Sequence, residues 1–451
     1  MTDIADTSLL SGHFCDHGID TIARDLRGGR ITSVELVQHS LAAINRLDPI
    51  LNAFTAIHTD AAIAAARDAD DDLARGLDRG VLHGIPVSVK DIVDVERHVT
   101  TSGSAAYLSR RADSDAECVR RLRAAGAVIV GKNVLHEFAY GATGDRSVHG
   151  ASRNPWDTNK ISGGSSGGSA VAVAAGMVPL AVGTDTAGSV RVPAALCGIV
   201  GFKPAFGAIP TAGVHPLAAS LDHVGVFART TVDAAHGYAV LAAHPHEHEI
   251  APARVGWVDP TRISPTDPAV TATVRDALDR SGITIDDTVE LPFVAGELFS
   301  VLSTVQSSEA YSEHADTLIR HRDDIDPEVI DRLERGRDTP ASQYVHATRR
   351  RDALRAAIAE LFQHFDVLAM PTAPTVATEI DQRSHIIDGQ AVEVRSSLLS
   401  LTCPWNLTGH PALTVPAGML SGLPVGLQLV GVPGRERLLF DLATRIEQAR
   451  Q

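Results

Sequence analysis

A chain of 451 residues, 44% of them apolar and 21% charged, can bury a large core as one α/β domain or as two or three smaller ones. Its net charge of −15 argues against a nucleic-acid-binding surface, and neither a secretory leader nor an apolar run of bilayer length is evident. Four cysteines without a CxxC pattern fit thiols in a reducing cytoplasm better than a disulfide framework.

In chain order, Thr32-Ser33-Val34-Glu35 fits a capping box, and Val34, Val37, Leu41 and Ile44 follow at helical spacing. An alanine-rich helix is expected over about 60–75. Gly84 punctuates the chain before a β-like run, 85–89, which ends at Lys90-Asp91. A helix over 116–125 leads through Gly126 into a strand over 127–130. Residues 154–160 read as a polar loop, and a small-residue helix is expected over about 166–175. Residues 178–182 read as a buried strand, 183–189 as a turn and 190–196 as the start of a helix. The polar segment 244–252 reads as a surface connection. A strand over 254–258, a helix over about 268–280 and a charged, mostly helical region over 307–363 complete the pattern. With no repeat and no long linker, alternating strands and helices predict one large α/β domain with helices covering a sheet.

Two stretches invite chemistry. "ISGGSSGGSA", residues 161–170, holds four serines and four glycines. A flexible linker is disfavoured because patterned segments continue on both sides. A phosphate-binding P-loop fails because no lysine follows the glycines. The G-x-S-x-G elbow matches around Ser165 and Ser166, but no buried strand leads into it. Ser189 has the better context, after a buried strand and an Ala187-Gly188 turn and before a helix start. Unpaired N–H groups there could stabilise an oxyanion, about 3–4 kcal/mol for one donor. An N-cap serine is the structural alternative. Asp222 and His223 suggest a Ser–His–Asp reading, but adjacent residues point different ways. His244, His246 and His248 read as solvated, since no HExxH or CxxC accompanies them. Only four of 40 basic residues are lysines, namely Lys90, Lys132, Lys160 and Lys203, so each is somewhat more informative than usual. Lys160 reads as a loop charge.

"GGSSGGSAVAVAAGMVPLAVGTDTAGSVRVPAALCGIVGFKP" resembles the signature region of the amidase signature family of amide hydrolases. "LHGIPVSVKDIVDV", "AGAVIVGKNVLHEFAYG", "SLDHVGVFART" and "CPWNLTGHPALTVPAG" resemble that family's other blocks, in its order, so the likeness spans essentially the whole chain. It implies a mixed β-sheet covered on both faces by helices, a Ser–Ser–Lys triad and neither metal nor organic cofactor. The lysine falls on Lys90, the bridging serine, held by a cis peptide bond, on Ser165, and the nucleophile on Ser189. The backbone N–H groups of Thr186, Ala187, Gly188 and Ser189 would form the oxyanion hole. Here the chain departs from the commoner DTGGS form, Ala187 replacing a glycine, and its methyl would narrow the space near the acyl group. Structural support is expected from an Asp185–Arg191 pair and from Gly163, Gly164 and Gly167, which would free the backbone to bring Ser165 between Lys90 and Ser189. Ser162, Ser166 and Ser169 would support that turn, and Lys132 and Lys203 would be structural.

Within one domain, N-terminal helices would occupy about 1–80, the signature core about 81–230 and the substrate-pocket portion about 231–451. Val192 would lie by the pocket. The A subunit of glutamyl-tRNA amidotransferase has glutamine there, which argues against that glutaminase role. The reading preferred is a free-standing cytoplasmic amidase acting on a small amide, with no nucleic acid or membrane partner and a homodimer left open. The alternatives are a glutaminase subunit of a tRNA-dependent complex and a ureide- or biuret-type hydrolase.

Overall fold

The computed structural model describes residues 9–242, 253–293 and 296–450. Its strands are β1 (Phe54–Ile57), β2 (Pro86–Lys90), β3 (Val128–Asn133), β4 (Arg153–Asn154), β5 (Asp157–Ile161), β6 (Leu180–Asp185), β7 (Val200–Lys203), β8 (His223–Ala228), β9 (Val255–Val258), β10 (Asp287–Val289), β11 (Val367–Pro371), β12 (Ser384–Ile387), β13 (Gln390–Glu393), β14 (Ala412–Leu420) and β15 (Leu423–Gly431). Eleven of them form one sheet in the order β1-β3-β2-β6-β8-β7-β14-β15-β11-β9-β10. Strand β2 runs parallel to β3 and β6, whereas β8, β7, β14 and β15 pair antiparallel with their neighbours, so the sheet is mixed.

Alternation along the strands explains why helices cover both faces. Side chains of successive strand residues point to opposite sides. On β3, Val128 and Val130 join a cluster with Ile44 and Leu47 of the helix Ser33–Leu51 and Val171 of the helix Gly167–Ala174. Ile129 joins the opposite cluster, with Val119, Leu122, Leu241 and Phe440. Strand β6 divides likewise, Ala181 to the first face and Leu180 and Val182 to the second. Both faces are apolar, so the strands read as near-continuous hydrophobic runs.

Local signals stand close to where they were expected. Thr32 and Glu35 form the full capping box, which is typically worth about 1 kcal/mol. The alanine-rich helix spans Thr59–Ala74, and the next spans Glu117–Ala124. The helix Pro268–Arg280 begins with proline after Asp267, whose side chain accepts from Ala269 N–H. The charged region holds the helices Glu297–Arg320, Pro327–Arg337 and Ala341–Leu361.

Three expectations need correction. Residues 154–160 belong to the β4–β5 hairpin, with Asn154 side-chain N–H donating to the carbonyls of Ile161 and Leu196. Its cross-strand pairing was invisible because the residues are polar. The buried strand is β6, two residues later at its start and three at its end than the apolar run suggested. It carries Gly183, Thr184 and Asp185 in place of a turn. The helix after Ser189 spans Arg191–Cys197 with Val190 at its N-cap, so Ser189 is not a capping serine. The segment 244–252, with His244, His246 and His248, lies outside the described residues.

Candidate active site

Strands β2 and β6 lie side by side and parallel, Val87 opposite Leu180 and Val89 opposite Val182. Their carboxyl ends therefore deliver Lys90, Thr184 and Asp185 to one edge, where open α/β sheets usually place ligands. The glycine run follows the β4–β5 hairpin and passes the same edge. Lys90 Nζ sits 2.6 Å from Ser165 Oγ and 2.7 Å from Thr184 Oγ1. The peptide bond between Gly164 and Ser165 is cis.

Lys90 is fully buried. Burial brings its pKa down to about 7, against the raising effect of the nearby Asp222 and Asp185 charges. A charged amine loses hydration there that no adjacent carboxylate replaces, so the neutral form gains ground. Lys90 Nζ stands as donor to both hydroxyls, and a neutral amine has, besides its N–H groups, a lone pair able to accept from one of them.

Ser189 joins this group through the backbone: Ser166 N–H donates to the Ser189 carbonyl at 3.3 Å. No hydroxyl–hydroxyl bond links Ser165 to Ser189. Between Asp185 and Val190, the N–H groups of Thr186, Ala187, Gly188 and Ser189 donate to no protein acceptor among the described residues. All four residues are nearly buried. Such unused donors can receive a negatively charged oxygen at little reorganisation cost. The first N–H groups of the following helix are unavailable, because the Asp185 carboxylate already accepts from Val190 and Arg191 N–H. The helix-start N–H groups invoked from sequence are thus spent on Asp185, and the free donors belong to the turn.

The turn is clamped from several sides. Arg191 pairs with Asp185 through two contacts, 3.0 Å and 2.9 Å, both residues being fully buried. Arg191 also donates to Thr402 O, Gln428 Oε1 and Asn406 Oδ1. Burial opposes ionisation of Asp185, but Arg191, Lys203 and Asn406 together hold its carboxyl well below the usual carboxylate range. Thr402 Oγ1 donates to the Ala187 carbonyl at 2.7 Å. Thr186 Oγ1 donates to Asp222, which also accepts from Leu217 and Ala218 N–H. Thr184, Thr402, Asn406, Gln428 and the Asp222–Thr186 contact were missed from sequence. The only available signal was a polar residue inside an otherwise apolar block, as in "LTCPWNLTGH".

The glycines serve mainly close packing. Gly163 has φ +78° and would also press a Cβ to 2.9 Å from Pro193 Cα. Gly164 and Gly167 have ordinary φ values, but a Cβ would meet Gly144 N at 2.6 Å and the Ser152 and Ser162 hydroxyls at 2.4 Å. Backbone freedom is therefore the reason at Gly163 alone of these three. Ser162 pairs with Ser152, Ser166 donates to Thr184 O, and Ser169 donates to Asn133 and Val182 O. Val192 is buried in an apolar cluster with Ala187, Leu298, Ala377 and Leu398.

The other candidates are held by contacts of their own, His223 at the border of the site. His223 Nδ1 faces the carbonyls of Leu221 and Asp185, and burial holds its pKa well below the usual histidine value. Lys132 pairs with Asp91 at 2.7 Å, Lys203 donates to the carbonyls of Pro204 and His410, and Lys160 pairs with Glu379.

Residues 35–440 match the family model described as Amidase. The chain belongs to the amidase family. Amidase relatives include the glutamyl-tRNA(Gln) amidotransferase A subunit of Chloroflexus aurantiacus (strain ATCC 29366 / DSM 635 / J-10-fl), 36% identical over 93% of this chain and 92% of that one. The AtzE subunit of 1-carboxybiuret hydrolase from Pseudomonas sp. (strain ADP) is 34% identical over 92% of this chain and 95% of its own length. Among solved amidase-fold structures, one from a vestigial protein complex bearing on the origins of an s-triazine catabolic enzyme superposes with a TM-score of 0.90. It is 32% identical and covers 96% of this chain and 98% of that one. As an amidase, this chain is a hydrolase of amide C–N bonds. Its relatives include proteins named as subunits of larger enzymes. Among the described residues, no helix is long and apolar enough to cross a membrane.

Proposed function

We propose that Ser189 is the nucleophile, Ser165 the proton bridge and Lys90 the base of a covalent amide hydrolysis. The observation that carries this reading is the placement of Lys90 Nζ, buried and brought to a pKa of about 7, within 2.6 Å of Ser165 Oγ. Ser189 Oγ attacks the amide carbonyl. Its proton passes to Ser165 as the Ser165 proton passes to Lys90. The N–H groups of Thr186, Ala187, Gly188 and Ser189 receive the oxyanion. Collapse breaks the C–N bond, and the proton returns through Ser165 to the leaving nitrogen. Water then attacks the acyl ester by the same relay, releasing a carboxylate and free Ser189.

Asp185, Arg191, Gly163, Gly164 and Gly167 hold this constellation without touching substrate. Val192 and the portion beyond residue 230 shape the pocket, with residues up to about 80 forming its N-terminal flank. The enzyme works in the cytoplasm on a small-molecule amide, without nucleic acid or membrane. Two observations favour narrower readings: the likeness to the A subunit of an amidotransferase and the likeness to a carboxybiuret hydrolase subunit. Screening the purified chain against aliphatic, aryl and ureido amides and glutamine separates them. Activity of the single chain supports a free-standing amidase, whereas glutaminase activity that needs partner subunits supports the amidotransferase role. In the same screen Ser189→Ala is expected to abolish turnover, and substantial residual activity would falsify the nucleophile assignment.

A further inference from the structure

Cations around the site are mostly neutralised. Arg191 has Asp185, Lys132 has Asp91, Arg383 has Asp145 and Glu328, and Arg332 has Glu328. Arg395 differs: among the described residues it makes no ion pair. Its Nη2 donates to the neutral Gln306 side chain at 3.3 Å, and its Nε is buried without a hydrogen-bond partner. The guanidinium lies over two rings, 5.6 Å from the centre of Tyr140 and 5.9 Å from that of Phe299. It is thus held in place but not neutralised, the state in which a planar fork gains most from a carboxylate.

Each neighbour of Arg395 belongs to a segment that reaches the reacting groups. Tyr140 lies four residues after His136, whose N–H donates to the Ser165 carbonyl at 3.0 Å. Phe299 adjoins Leu298, which packs with Ala187 and Val192. Arg395 itself sits in the helix Val394–Ser400, which leads directly to Thr402 and its bond to the Ala187 carbonyl. Phe299, whose ring lies under the Arg395 guanidinium, lines a cavity of about 420 Å³ with Leu298, Ser396, Ser397, Ser400 and Cys403, and Arg395 meets that cavity only through this ring. A second guanidinium crowds the same spot. Arg332 donates to Tyr140 O at 2.7 Å, and burial followed by the Arg395 charge draws its pKa down to about 10. An anion bound here would relieve that repulsion.

We propose that Arg395 is a specificity-determining residue that binds a carboxylate carried by the substrate, so that the enzyme prefers amides bearing an acid group. This rests on the amide-hydrolase reading above.

The test separates binding from turnover. Succinamate and N-acetylglycine carry the carboxylate on the acyl and amine side respectively, and butanamide and N-ethylacetamide are their neutral partners. Calorimetric titration into the Ser189→Ala protein reads affinity, and wild-type kinetics read kcat/KM. At least a tenfold preference for one of the two acids is expected. In Arg395→Met that preference should vanish, mainly through KM, and Arg395→Lys should keep part of it. If Arg395→Met does not fold, Arg395→Gln takes its place. Equal affinity for acids and neutral amides, an unchanged preference in the variant, or no binding of any of the four overturns the proposal. Preferential binding without turnover would uphold the carboxylate site and count against the hydrolytic mechanism. Turnover without charge preference would do the reverse.

Discussion

At the residue scale, the decisive competition is between desolvation of Lys90 and the pull of nearby carboxylates. Asp222 and Asp185 both favour the ammonium form, yet burial outweighs them. Asp222 is itself weakened as a competitor, since burial pushes its carboxyl up to about 6 despite the bonds from Thr186, Leu217 and Ala218. Asp185 is already taken by Arg191. In the proposed mechanism the base works only when neutral, so kcat/KM should rise with pH through about 7 and level off above it. A pH profile in which activity is flat from pH 5 to 9, with chemistry limiting, would contradict Lys90 as the base. Lys90→Met should lower kcat/KM by about 10²–10⁴-fold, the usual worth of general acid–base catalysis. Circular dichroism should show the variant folded, because no carboxylate depends on Lys90 for an ion pair.

At the element scale, the turn after β6 matters more than the helix that follows it. The four free N–H groups exist because Asp185 satisfies the helix start and Thr402 fixes the Ala187 carbonyl. Gly188 makes that close approach feasible: its φ is +144°, and a Cβ there would lie 2.2 Å from Thr402 Oγ1. Gly188→Ala therefore must displace Thr402 or the turn. A loss of about 1–3 kcal/mol in urea stability is expected, as for other overpacked sites. If these donors receive the oxyanion as proposed, at least a tenfold fall in kcat should accompany it. A variant with full kcat would mean that the turn does not supply those donors. Legibility differed by element. The capping box at Thr32 and the proline-led helix at Pro268 are local signals and stand where expected. The β4–β5 hairpin is polar and owes its pairing to partners outside it, notably the carbonyl of Leu196 held by Asn154.

At the scale of the whole molecule, a continuous sheet ties the early and late parts of the chain together. Strand β14, which begins at Ala412, lies between β7 and β15, so the late segment completes the middle of the sheet. Arg191 crosses the same junction to reach Thr402, Asn406 and Gln428. An ionic cluster adds a second tie, with Arg146 and Arg383 reaching Asp145, Glu328 and Asp381 from distant stretches of chain. Neither half has a complete core alone, which predicts one unfolding transition. Urea curves from far-UV dichroism and from tryptophan fluorescence should coincide. Trp257 and Trp405 report the late half and Trp156 the early one. Two resolved transitions would show that the halves are separable domains.

What the sequence by itself determined was the α/β class, and it singled out Lys90, Ser165 and Ser189 as candidates for one site. Glycine spacing, a lysine at a strand end and a serine after a buried strand are patterns within a few residues, and family resemblance joined them across the chain. Tertiary structure alone decided what surrounds those positions. Thr184 beside Lys90, Thr402 on the Ala187 carbonyl, Asp222 on Thr186 and the Arg191 network join residues as many as 237 positions apart. Their contacts depend on strand order and helix placement, which no local pattern encodes. The neutral bias of Lys90 has the same origin. A lysine's charge state depends on the water it loses and the charges it faces, and both are properties of the packed molecule.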